Sequence, residues 1–114
     1  MATHLHDLGT LEGVFAAVPT PFAAGVIDEE AFTAFCAWQL EEGTAGLVVC
    51  GTTGEAPTLS SEEQQRLIEL AVDVAGGGAP VIAGVGSNAT AHSQELARAA
   101  EAGRQWSARC RPLL

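Results

Sequence analysis

Two adjacent threonines, Thr52 and Thr53, stand between Gly51 and Gly54 in the stretch Cys50-Gly51-Thr52-Thr53-Gly54-Glu55. A threonine hydroxyl can accept one proton while donating another, so the pair can relay a proton or hold an oxygen-rich ligand. The flanking glycines permit a sharp turn and close backbone approach, and their loop offers free N–H groups to a carboxylate. A second small-residue loop, Gly86-Ser87-Asn88, leads into a helical pattern and could hold a small anion in the same way. His4 and His6 form an H-x-H pair, read here as part of a solvated terminus, and no metal site is expected. Cys36, Cys50 and Cys110 are an odd, widely spaced set without a C-x-x-C pattern. The 114 residues contain no lysine and no tyrosine. Schiff-base chemistry through a lysine amine and phenolic proton transfer are therefore outside what these residues do alone.

The threonine loop needs a strand before it and a helix after it. Leu47 to Cys50 is a continuous apolar run, the pattern of a strand covered on both faces, and Cys50 reads as a small buried hydrophobe. Ser60 can cap the following helix, with Glu63 as its capping-box partner, and the helix is expected over Ser61 to Ala75. Its apolar face is Leu67, Ile68, Ala71, Val72 and Ala75, and the run Gly76-Gly77-Gly78 ends it. Upstream, Gly13 to Val18 reads as a strand stopped by Pro19-Thr20-Pro21-Phe22, with Ala23 to Ile27 as a connecting loop. Asp28 caps a helix whose stripe is Phe32, Phe35, Cys36 and Leu40, with Trp38 at its edge and Gly43 at its end. Downstream, Pro80 to Val85 is a third apolar strand. A third helix is expected from about Thr90 to Ala102, with Leu96, Ala99 and Ala100 inward and Gly103 as terminator. No strand is expected after it.

Three strand–helix units of about 30 residues, with strands apolar on both faces, specify an α/β fold with a parallel sheet. Residues 1–12 are a lead-in, 13–103 carry the three units, and 104–114 stand apart. Residues 1–103 hold all 14 acidic residues against only Arg66 and Arg98, whereas 104–114 hold Arg104, Arg109 and Arg111. An acidic body argues against nucleic acid as a partner. No apolar run approaches the length of about 18 residues that suggests a membrane span, and the N-terminus lacks signal-peptide character, so a cytoplasmic protein is expected. No Walker A or G-x-G-x-x-G pattern points to a nucleotide.

Three segments together resemble one known family: Pro19-Thr20-Pro21-Phe22, Gly51-Thr52-Thr53-Gly54-Glu55, and Pro80-Val81-Ile82-Ala83-Gly84-Val85-Gly86-Ser87-Asn88-Ala89-Thr90. In order and spacing, residues 13 to 103 are similar to the opening third of dihydrodipicolinate synthase, a pyruvate-dependent class I aldolase on a (β/α)8 TIM barrel. The Thr-Thr form of the loop resembles the synthase more than N-acetylneuraminate lyase. The resemblance implies the first three βα units of a truncated barrel, and a reaction condensing pyruvate with aspartate semialdehyde in lysine biosynthesis without a cofactor. It implies a catalytic role for Thr52 in a proton relay with two tyrosines, and a substrate-binding role for Thr53, whose hydroxyl and N–H would hold the pyruvate carboxylate. It places Asn88 at the family's lysine-feedback site, where His92 stands in place of an acidic contact.

In the family a Thr-Pro-Tyr-Tyr motif ends the fourth strand, and the Schiff-base lysine follows two strands later. Neither has a counterpart in these residues, and 104–114 read as an out-of-frame or otherwise aberrant ending. The chain alone is therefore expected to be inactive, with open sheet edges that favour a homo-oligomer or other association. The alternatives are a small anion-binding or association module without catalysis, and another pyruvate aldolase of the same superfamily.

Overall fold

The computed structural model describes residues 12–87, 89–104 and 108–111, with side chains through residue 99. The H-x-H pair, Asn88 and most of the lead-in lie outside them. A four-stranded parallel sheet runs in the order β1 (Phe15–Ala17), β4 (Gly46–Val49), β5 (Val81–Gly84), β6 (Ala108–Arg111). Between these strands lie α1 (Glu29–Glu41), α2 (Ser61–Ala75) and α3 (Thr90–Arg104). Adjacent strands follow one another in the chain through helical crossovers, as expected of repeated βα units.

Local chemistry sets the helix ends. The Asp28 carboxylate accepts the Ala31 N–H at 3.0 Å and starts α1. Ser60 and Glu63 form the full capping box at α2, with the Glu63 N–H donating to Ser60 Oγ at 3.1 Å and the Ser60 N–H to Glu63 Oε1 at 2.8 Å. Gly76, in the left-handed conformation, closes that helix.

Strand side chains alternate as a pleated sheet requires. Leu47, Val49, Val81 and Ala83 are completely or almost completely buried and share a core with Phe32 and Cys36 of α1 and with Leu67, Ile68, Ala71 and Val72 of α2. Val48 and Ile82, register partners on the other face, are only half-buried. Arg66 of α2 reaches Glu29 of α1 in a two-pronged pair at 2.9 and 3.0 Å, tying the helices together at the surface. The Arg66 guanidinium, chiefly through its hydrogen bond, holds the Glu29 carboxyl below its ordinary value.

Three expectations are corrected. The expected loop Ala23 to Ile27 contains a hairpin: β2 (Phe22–Ala23) pairs antiparallel with β3 (Val26–Ile27). Ala24 and Gly25 form its turn, both with positive φ, the geometry of a tight two-residue hairpin turn. Gly103 does not terminate α3, which continues to Arg104. A strand does follow that helix: β6 pairs in parallel with β5, setting Ala108 beside Val81 and Arg111 beside Gly84.

Burial also governs the thiols. Cys36 and Cys50 are both inside, and desolvation pushes their thiols up from an ordinary value of 9.0 to about 11 and about 12. The folded state thus favours the neutral thiol. This contribution to stability is complete below the unfolded thiol's titration and is lost as pH rises toward the folded values. The urea midpoint should fall between pH 8 and pH 10.5. At pH 8, peptide-resolved alkylation should label Cys36 and Cys50 at least ten times more slowly in the native than in the urea-unfolded chain. Equal labelling rates in the two states would contradict the burial argument.

Candidate functional site at the carboxyl end of the central strand

Strand β4 ends at a backbone reversal. Cys50 adopts φ of 59°, in the left-handed region, and turns the chain over the end of β5. Gly84 makes room there: a Cβ at that position would strike the Cys50 carbonyl oxygen and stand 2.8 Å from its carbon. The Gly54 N–H then donates to the Gly51 carbonyl at 3.1 Å, closing a four-residue turn with Thr52 and Thr53 at its centre. The Glu55 N–H donates to the Thr52 carbonyl at 3.0 Å. Glu55 takes φ of 60° and leads into the short 3-10 turn Ala56–Thr58, where Thr58 Oγ1 donates to the Glu55 carbonyl at 2.8 Å.

The two ends of this turn are buried and its centre is exposed. Gly51 and Gly54 are inside, while Thr52 and Thr53 face solvent. Thr20 Oγ1, from the segment after β1, donates to the Gly54 carbonyl at 2.7 Å. Gln64 Nε2 of α2 donates to the Ala56 carbonyl at 3.1 Å, and the Cys50 thiol lies 3.7 Å from the Gln64 carbonyl. Neither the hydroxyls nor the N–H groups of Thr52 and Thr53 have a hydrogen-bond partner among the described residues. The arrangement is a fixed loop presenting two hydroxyls and two amide donors. Chemically it can accept an anionic oxygen, and it has a hydroxyl through which a proton could pass.

The second loop is differently disposed. Ser87 Oγ accepts the Ala89 N–H at 3.2 Å, donates to the Ala89 carbonyl at 2.7 Å and lies 3.0 Å from Ser93 Oγ. Its hydroxyl is occupied in starting α3, which weakens the expectation that this loop holds an anion. His92 Nδ1 faces Glu95 at 3.8 Å on the same helix. No group of three or more metal-ligating side chains occurs among the described residues. A narrow cleft between α2 and α3, lined in part by Ser61, Gln64, Gly84 and Leu96, includes neither Thr52 nor Thr53.

Sequence reasoning found the displayed threonines but not the residues that hold them. In the sequence, Thr20 stands in the strand-ending Pro19-Thr20-Pro21-Phe22 segment that also carries the family resemblance, with no role of its own assigned, and Gln64 is not singled out at all. The signal available for Gln64 was its place one helical turn before the apolar Leu67 and Ile68, which puts it on the buried side.

A sequence model described as the Dihydrodipicolinate synthetase family matches residues 10–106. The chain belongs to that family. The 4-hydroxy-tetrahydrodipicolinate synthase of Brucella abortus is 56% identical over 92 residues, which make up 80% of this chain and 31% of the relative. The chain thus spans about a third of the length of the curated relatives it matches. Among solved structures, dihydrodipicolinate synthase from Aquifex aeolicus superposes with a TM-score of 0.81 at 39% identity, over 91% of this chain and 36% of the other. The Acinetobacter baumannii enzyme, solved as a chloride-inhibited complex with pyruvate, superposes with a TM-score of 0.78 at 38% identity, over 82% of this chain and 32% of the other. The three βα units are therefore those of the family's TIM-barrel fold, in the portion matched.

Proposed function

We propose that these residues form the N-terminal portion of a dihydrodipicolinate synthase-type aldolase, and that the β4 loop receives the carboxylate of pyruvate. Thr53 would donate its hydroxyl and N–H to that carboxylate, and Thr52 would pass a proton between the substrate and groups outside these residues. The observation that carries this reading is the turn itself, with both threonines unpartnered among the described residues and both flanking glycines buried. Family membership and the pyruvate complex of the Acinetobacter baumannii enzyme support the choice of anion. With no lysine in the sequence, these residues form no imine with pyruvate by themselves, so binding without condensation is the expected behaviour. The reading puts the protein in the cytoplasm, and no described helix is long and apolar enough to cross a membrane.

The test is a pyruvate titration of the 15N-labelled chain, followed by borohydride reduction with labelled pyruvate. Amide shifts should concentrate at Gly51 to Gly54, and Thr53→Ala should weaken binding about tenfold, the order expected for loss of a hydrogen bond to a charged group. No label should become covalently attached. Shifts elsewhere, or none at tens of millimolar pyruvate, would refute the site; covalent incorporation would refute the claim of inactivity.

A second reading, association without catalysis, is favoured by the half-buried face of Val48 and Ile82 and by β1, an edge strand preceded by Val14 at 75% exposure. Sedimentation decides between a lone chain and a self-associating one. A sharply melting monomer at high concentration counts against association.

A further inference from the structure

Two polar side chains are buried among the described residues, Thr20 and Gln64, and both direct their hydrogen bonds to the same loop. Burying a polar side chain costs free energy unless it is satisfied, so where such bonds go is informative. Thr20 is 5% exposed and gives its hydroxyl proton to the Gly54 carbonyl at 2.7 Å, across 34 residues of sequence. We propose that Thr20 is a positioning residue for the Thr52–Thr53 turn, fixing the Gly54 end of the turn and so the direction in which the two threonines present their donors. The proposal rests on the reading of that turn as the pyruvate site.

The surroundings of Thr20 suit this task. Pro19 and Pro21 flank it, so φ is fixed on both sides, and Val18 and Thr20, each preceding a proline, are held to extended conformations. The Val18 N–H donates to the Val48 carbonyl at 3.0 Å, anchoring the segment to the sheet just before the prolines. The Thr20 hydroxyl is thus presented from a stiff, sheet-anchored segment. Gly54 meets it closely: a Cβ there would lie 3.1 Å from the Val18 carbonyl oxygen and 3.4 Å from Thr20 Oγ1. The opposite end of the turn is set independently, where the Cys50 carbonyl packs over Gly84. A four-residue turn held at its start by β5 and at its last residue by the segment after β1 leaves only its central pair displayed. Those are Thr52 and Thr53.

Thr20→Val removes the hydroxyl while keeping the shape, and Thr20→Ser keeps the hydroxyl. Amide hydrogen exchange and pyruvate titration should be measured on both variants and on the wild-type chain. In Thr20→Val, exchange at Gly54 and Glu55 should rise at least tenfold more than in the centre of α2, and pyruvate should bind about tenfold more weakly. Thr20→Ser should restore both. If Thr20→Val fails to fold, Thr20→Cys, a weaker donor of similar shape, should give intermediate values of the same pattern. Exchange raised uniformly over the whole chain, or unchanged at the turn, would overturn the positioning role, as would a Thr20→Ser variant no better than Thr20→Val. If the wild-type chain ignores pyruvate, the substrate reading fails alone, because the exchange contrast between turn and helix still decides what Thr20 does.

Discussion

Replacing Gly84 by alanine should lower the stability of the chain by about 2 to 3 kcal/mol and abolish the pyruvate response of the β4 loop. The added Cβ would strike the Cys50 carbonyl oxygen, stand 2.8 Å from the Cys50 carbonyl carbon and 3.2 Å from the Gly51 Cα. All three are backbone atoms, so no rotamer change relieves the overlap. The backbone at Cys50 also has little room to adjust, since a non-glycine residue with φ of 59° occupies a narrow allowed region. Either β5 withdraws from β4, or the turn lifts from the strand ends. The first loses core packing at Val81 and Ala83, and the second moves Thr52 and Thr53. Gly78→Ala is the matched control, because its Cβ would find only the Ala75 carbonyl at 3.4 Å, an ordinary contact. Urea titration of both variants, with the pyruvate shifts measured on each, separates the cases. A Gly84→Ala midpoint indistinguishable from that of Gly78→Ala would mean that the two strand ends do not press together as described.

Gly84 illustrates what the sequence could and could not disclose. The strand Pro80 to Val85 was legible from its apolar run, and Gly84 passed as one more small residue within it. Its purpose lies in a neighbour more than 30 positions away, and no local pattern encodes such a contact. The same holds for Thr20, whose partner is the Gly54 carbonyl 34 residues on, whereas Gln64 reaches only eight residues back to Ala56 and its buried side could be read from the helical spacing. Local rules served well where local chemistry decides: the α2 boundaries, the Ser60–Glu63 box and the Asp28 cap all follow from propensity and hydrogen bonding within a few residues.

They failed where pairing decides. Ala24 has no special preference for positive φ, so the hairpin at Phe22 to Ile27 showed only one of the two turn signals it needed, Gly25. In Ala108-Arg109-Cys110-Arg111 the alternation of small and charged residues has the period of a strand, but it is four residues long and lacks β-branched side chains. The open edge of β5 supplies its partner, and a tertiary partner outweighs weak local propensity. Gly103 read as a stop because glycine is a poor helix former, yet one glycine costs a helix only about 1 kcal/mol.

Phe32→Ala should cost about 3 to 5 kcal/mol, the largest loss expected from any single truncation described for this chain. Phe32 is completely buried and belongs to α1, yet its cluster joins Leu47 of β4 and Leu67 of α2, both also at zero exposure. Removing the ring empties the place where helix layer and sheet meet, and close-packed neighbours collapse only partly into such a void. Domains of this size have about 5 to 15 kcal/mol in total, so the variant should retain little cooperative unfolding at room temperature. Trp38 provides the contrast. It is the larger side chain and lies on the same helix, but it is 51% exposed and forms a tilted ring pair with Phe35, centroids 5.8 Å apart. Trp38→Ala should therefore cost about 1 kcal/mol, the scale of one aromatic pair. Urea unfolding followed by far-ultraviolet circular dichroism ranks the two without relying on tryptophan fluorescence. If Trp38→Ala proves the more damaging, α1 does not pack on the sheet through its Phe32 face. The exposed edge of that helix would then be the one that contributes stability, as it would in a chain whose folded state is an assembly held together there.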